Sequence, residues 1–204
     1  MTLVSDSTAA GLVAALGAGP ADRVHGFDAL FERTVGDWPG GYNPARAILG
    51  VADLDHGWTL MAEVNGFVGV TERLIGPLSE DRTIVSHFGN VNSASRFQFW
   101  RAGRLLVDLD LMFAAERFGA DPEVLGDDLR GVGVPLDVDP TEIAEIDLSA
   151  AGFALAERIT DVRCTPEFFE SSTFLVAAVD LPGGEEQQRY TEALAATWRI
   201  PETW

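Results

Sequence analysis

The chain is 204 residues long and 47% hydrophobic, enough for one compact domain with a buried core. Its 32 acidic residues oppose 14 basic ones, a formal net charge of -18, and all 14 bases are Arg. The absence of Lys excludes a Schiff-base lysine, a Walker-type phosphate loop and a Ser–Lys pair. Arg in place of Lys, with abundant Ala, Gly, Val and Asp, fits a G+C-rich coding sequence.

Residues 1–20 hold a short apolar run, no positive n-region and a first charge at Asp6. This reads as a first helix, not a signal peptide. No stretch reaches the roughly 18 apolar residues of a membrane span, so no membrane partner is expected. The lone Cys164 can form no internal disulfide, and the expected location is the cytoplasm.

Gly and Pro are densest at Asp37-Trp38-Pro39-Gly40-Gly41-Tyr42-Asn43-Pro44, where helix is expected to give way to strand. Strands follow over 46–53 and 58–64, with a turn at 54–57, and Trp58, Leu60, Ala62 and Val64 fall on one face of the second. A third strand, 83–88, precedes the Asn90-Val91-Asn92-Ser93 turn. Connections this short imply antiparallel pairing.

The next hairpin can be set in register. A two-residue loop at Ala102-Gly103 would put Phe97 opposite Asp108 and mix the faces. A type I turn with Gly103 as bulge residue instead pairs Phe99 with Leu105 and Phe97 with Val107. That register sets Arg96 opposite Asp108, predicting an ion pair, with Gln98 opposite Leu106 and Trp100 beside Arg104.

Beyond Asp110 the pattern turns mainly helical. Asp121-Pro122-Glu123, Asp139-Pro140-Thr141-Glu142 and Thr165-Pro166-Glu167 read as helix starts. Residues 148–159 and 185–198 keep helical spacing, and 174–179 is a short apolar strand. The expected fold is therefore a single α+β domain over 1–204: a helical part at 1–44, a meandering antiparallel sheet flanked by helices at 46–110, and an acidic, mainly helical C-terminal half at 111–204 with one strand near 174–180.

Three segments carry a family likeness. Gly57-Trp58-Thr59-Leu60-Met61-Ala62-Glu63-Val64-Asn65-Gly66, Asn90-Val91-Asn92-Ser93-Ala94-Ser95-Arg96-Phe97 and Ala154-Leu155-Ala156-Glu157-Arg158-Ile159-Thr160 with Thr165-Pro166 together resemble an uncharacterised actinobacterial domain-of-unknown-function family. Phe67 stands where that family would carry Trp, and Gly89 where it would carry an aromatic. The resemblance implies a cytosolic single domain from a G+C-rich source and carries no activity or catalytic residue with it.

No catalytic motif is present and no cofactor is implied. The Asp-x-Asp pairs Asp53/Asp55, Asp108/Asp110 and Asp137/Asp139 could each put two carboxylates on one strand face, but 17 Asp in the chain produce such pairs by chance. His25, His56 and His87 lack ligand spacing. Cys164 precedes a predicted helix N-terminus and lies beside Arg163, both of which would lower a thiol pKa, although free cysteines are more often buried and inert.

Two regions stand out by charge. Residues 82–107 contain four Arg and no acid, interleaved with aromatic and amide side chains. His87, Asn90, Asn92, Arg96, Trp100, Arg101 and Arg104 are candidates there for holding a small anionic ligand. Residues 105–204 carry 21 acids against 6 Arg, net -15, densest at 121–147. Asp121, Glu123, Asp127, Asp128, Asp137, Asp139, Glu142 and Glu145 are candidates for clamping a basic protein partner, as an immunity protein clamps a toxin domain. A chain this acidic repels nucleic acid. The expected function is non-enzymatic binding of a basic protein, against the alternatives of a small anionic-ligand binder or enzyme at 82–107 and of a structural subunit.

Overall fold

The computed structural model describes residues 1–19, 22–36, 46–64, 66–90, 94–136 and 146–182. Their elements run β1 (Thr2–Val4), α1 (Ala9–Ala15), β2 (Asp22–His25), α2 (Phe27–Gly36), β3 (Arg46–Asp53), β4 (Thr59–Glu63), α3 (Glu72–Leu78), β5 (Thr83–Gly89), β6 (Ser95–Arg101), β7 (Arg104–Asp110), α4 (Gly126–Gly131), α5 (Leu148–Thr160), α6 (Pro166–Ser171) and β8 (Thr173–Asp180). Strand β3 and the start of α5 fall where the periodicity places them.

All eight strands form one antiparallel sheet in the order β2-β8-β3-β4-β1-β5-β6-β7. This corrects the simple meander. Strand β1 enters between β4 and β5, and β8 between β2 and β3, so the part at 1–44 expected to be helical supplies two strands beside its helices α1 and α2. The C-terminal half carries three helices and the strand β8 among its described residues, and β8 lies where the apolar run near 174–180 places a strand.

Both faces of the sheet are covered, which is why its central strands β3, β4 and β8 are buried along most of their length. One face buries Leu3, Ala62, Val85, Phe97, Phe99 and Phe174 against α2, α4 and α5. The other buries Val4, Met61, Ile84, Trp100 and Val179 against α1 and α3. Each buried Val, Leu, Ile, Phe or Met side chain among them contributes roughly 1.5–3 kcal/mol. Local chemistry starts the helices: Thr8 accepts from the Gly11 amide at 3.1 Å, Asp147 from Ala150 at 2.9 Å and Thr165 from Phe168 at 3.2 Å.

Two expectations fail for physical reasons. The β6–β7 hairpin uses the two-residue loop, with Ala102 at φ 50° and Gly103 at φ 72°, the left-handed pair whose twist suits a hairpin. An extra residue in β7, between Leu105 and Val107, then absorbs the one-residue offset, so Phe99 pairs with Val107 and Phe97 with Leu109. The apolar face is restored by a bulge within the strand and not at the turn; Arg96 lies opposite Asp110, Gln98 opposite Asp108 and Arg104 opposite Arg101. Asp121-Pro122-Glu123 starts no helix either. The Asp121 amide donates to the Leu106 carbonyl of β7 at 3.0 Å, and the chain turns through Val124 before α4 begins at Gly126. The predicted starts and helix at 139–142 and 185–198 lie outside the described residues.

Candidate functional site

The Arg and aromatic residues of 82–107 separate into three places. His87 faces α5, where its Nε2 lies 3.1 Å from the Ser95 hydroxyl. Position 152 must be Gly, because a Cβ there would stand 2.5 Å from the imidazole. Burial pushes the His87 pKa down to about 3, which leaves the ring neutral and a poor general base near neutrality.

Arg96 and Trp100 occupy the opposite face. The Arg96 guanidinium donates to both Asp108 oxygens, at 2.8 and 2.5 Å, and to the Val70 carbonyl at 3.4 Å. Gln98 donates to Asp108 at 3.3 Å, and Trp100 Nε1 donates to Gln98 at 3.2 Å. The expected Arg96–Asp108 pair therefore forms, but diagonally across the ladder. Asn90 accepts from the Ala94 amide at 3.2 Å through its side chain, and Asn92 lies outside the described residues. Arg101 and Arg104 face each other at the exposed hairpin tip, with Arg101 5.0 Å above the Phe99 ring. Arg96 and Arg101 are about 17 Å apart along the strand, too far for one small anion to touch both.

A cavity of about 60 Å³ lies between the ends of β1, β4 and β5, lined among others by Thr2, Glu63, Gly69, Ser86 and Phe88. Glu63 accepts from the Val68 and Gly69 amides at 2.8 and 2.9 Å, so its carboxylate ties down the turn that roofs the cavity. Burial raises the Glu63 pKa against the pull of those two amides. Metabolite sites occupy roughly 300–1,000 Å³; this space suits water.

The acidic candidates form a different kind of surface. After β7 the chain doubles back along that strand, with Phe118 and Asp108 exchanging backbone hydrogen bonds at 2.8 and 2.9 Å and Ala120 donating to Leu105 at 2.9 Å. Arg117 staples the resulting loop from inside. Its Nε donates to the Pro122 carbonyl at 3.1 Å, Nη1 to Ala114 at 2.6 Å, and Nη2 to both Glu123 oxygens at 2.8 and 2.7 Å. Asp121, Glu123 and Asp127 are exposed and Asp128 is half-buried. Asp127 pairs with Arg130 at 3.2 Å and Asp128 with Arg158 at 3.0 Å. Asp137, Asp139, Glu142 and Glu145 lie outside the described residues. Sequence reasoning passed over Arg117 and Phe118, although Arg117 is the lone base between residues 105 and 129.

The remaining candidates carry less. Burial pushes the Cys164 thiol up to about 11, which corrects the expected lowering: desolvation outweighs the following six-residue helix. Asp53 accepts from the Ala9 amide at 2.6 Å at the head of α1. Among the described residues no group of three or more His, Cys, Asp and Glu could hold a metal ion, and no helix is long and apolar enough to cross a membrane.

Fold and site together define a single-sheet antiparallel α/β domain with an acidic loop docked on its β7 edge. Residues 1–183 match the model of a family of unknown function, DUF6461, and the chain belongs to that family. No curated protein and no solved structure matches it.

Proposed function

We propose that the chain is a non-enzymatic cytosolic protein that binds a basic protein partner through its acidic segment, in the manner of an immunity protein on a toxin domain. The observation that carries this reading is the outward placement of Asp121, Glu123 and Asp127 on consecutive turns beside the sheet edge. Glu123 and Asp127 hold Arg117 and Arg130 yet keep their carboxylates exposed, whereas the arginine face at 82–107 spends Arg96 on Asp108 in a mostly enclosed pair. Exposed carboxylates of one sign steer a basic partner and raise its association rate, an effect that salt screens. The Lys-free composition supports a G+C-rich actinobacterial source.

The test is complex formation from lysate of the source organism at low and high ionic strength. A basic protein retained in stoichiometric amount, associating more slowly as salt rises, is the expected result. Recovery of the chain alone at every ionic strength overturns the reading. The second reading, an anionic ligand at the strand face, keeps Asn90, Arg101 and Arg104 as its exposed candidates among the described residues; it requires a thermal shift with a phosphate or carboxylate metabolite that Arg101→Ala abolishes.

A further inference from the structure

Single exposed apolar side chains are ordinary on protein surfaces, and Phe31, 47% exposed on α2, needs no more explanation than that. Phe118 differs in how it is held. It is 66% exposed, the most exposed large hydrophobic residue among those described, yet its backbone is fixed in both directions to Asp108 on the β7 edge. The next residue, Gly119, sits at φ 124°, and a Cβ there would stand 2.2 Å from the Leu106 carbonyl oxygen, so the chain is drawn tight against the strand at this point. Arg117, with 9% of its side chain exposed, closes the loop through four hydrogen bonds. Val124, 43% exposed, leaves the same loop, and Glu116, Asp121 and Glu123 are its exposed charges.

Resting on the binding function proposed above, the geometry points to the loop at 114–125 as the docking epitope, with Phe118 as its anchor and a basic, amphipathic segment of a partner protein as its occupant. A rigid aromatic on a preorganised backbone gives up little conformational entropy on binding, which is what an interface hot spot requires. The loop's carboxylates select Arg and Lys around the partner's apolar residue. Of the seven acids in 105–136, Asp108, Glu123, Asp127 and Asp128 each hold an Arg and Asp110 accepts the Ser95 and Met112 amides, so Glu116 and Asp121 are the exposed carboxylates beside Phe118 that such a partner would meet, with the 75% exposed Glu123 next to them. The β7 edge beneath is occupied by 118–121, so the partner docks by side chains and not by adding a strand there.

The experiment pans a displayed library of random peptides on the full chain. Isolated peptides are then measured against the wild type, Phe118→Ala, Arg117→Met and Phe31→Ala at low and high salt. The expected peptides carry Arg or Lys beside Trp, Phe or Leu. They lose at least about tenfold in affinity to Phe118→Ala, lose a smaller factor to Arg117→Met through the loosened loop, and bind Phe31→Ala unchanged. Basic peptides that bind Phe118→Ala as well as the wild type overturn the anchor and leave the acidic-surface function standing. Neutral or acidic peptides that depend on Phe118 without salt sensitivity overturn the basic partner, and with it that function. A library that yields no binders overturns the epitope.

Discussion

Arg96 and Arg117 are both nearly enclosed, with 14% and 9% of their side chains exposed, yet the carboxylates they hold are 17% and 75% exposed. In β6 and β7 the ion pair faces inward and continues through Gln98 to Trp100. In the loop that follows, the guanidinium ties carbonyls together from inside and leaves its carboxylate in water. The same two residue types thus serve cohesion in one region and presentation in the other. Net charge by itself distinguishes neither.

Removing one partner of the inward pair should have the largest effect. Asp108→Ala leaves the Arg96 guanidinium mostly enclosed without its carboxylate and should cost about 3 kcal/mol in urea unfolding. The double substitution Arg96→Met with Asp108→Leu should recover much of that loss, because it removes the enclosed guanidinium together with the carboxylate that it donates to twice. Gly119→Ala attacks the loop instead. Its Cβ must displace a backbone oxygen at a positive φ, so a loss of about 2 kcal/mol and faster amide exchange at Phe118 are expected.

His87 sharpens the comparison through pH. Its pKa is lowered by burial from 6.5 to about 3, so between those values the unfolded chain binds the extra proton. Its contribution to stability is therefore present above about 6.5 and is lost as pH falls toward 3, with a slope of at most about 1.4 kcal/mol per pH unit. Burial raises the pKa of Glu63 and Asp110, which acts in the opposite sense over its own range. The difference between wild type and His87→Gln isolates the histidine, and a flat difference across that window would contradict its burial. The smallest change belongs to the outward pairs: Asp127→Ala, whose carboxylate is fully exposed beside Arg130, should alter stability by less than about 0.5 kcal/mol.

Much of the fold is legible where one local rule decides it. Strand β3 is bounded by exposed Arg46 and Asp53 around a continuous buried run, and Thr165-Pro166 caps α6 as its sequence dictates. What escapes the sequence is set by partners far along the chain. Thr2-Leu3-Val4 is too short to show periodicity and becomes a strand only because β4 and β5 flank it. The extra residue in β7 obeys the demand for one apolar face, but where the ladder inserts it is a tertiary choice. Asp121-Pro122-Glu123 has the form of a helix start and is diverted by the carbonyl of Leu106. The Arg96–Asp108 pair follows from charge alternation even though its register does not. The loop held by Arg117 has no local signature, since its hydrogen bonds go to main-chain oxygens that any residue could supply.

The placement of β1 and β8 bears on how the chain acquires its structure during synthesis. Strand β1 is synthesised long before its neighbours β4 and β5, and β2 and β3 have no shared neighbour until β8, ending at Asp180, has been made. The sheet is thus joined at two seams that span most of the chain, a topology of high contact order that folds slowly. A nascent chain that has reached only Asp110 lacks the strand that pairs with β2 and with the outer side of β3, so those edges stay open to mispairing until the eighth strand is made.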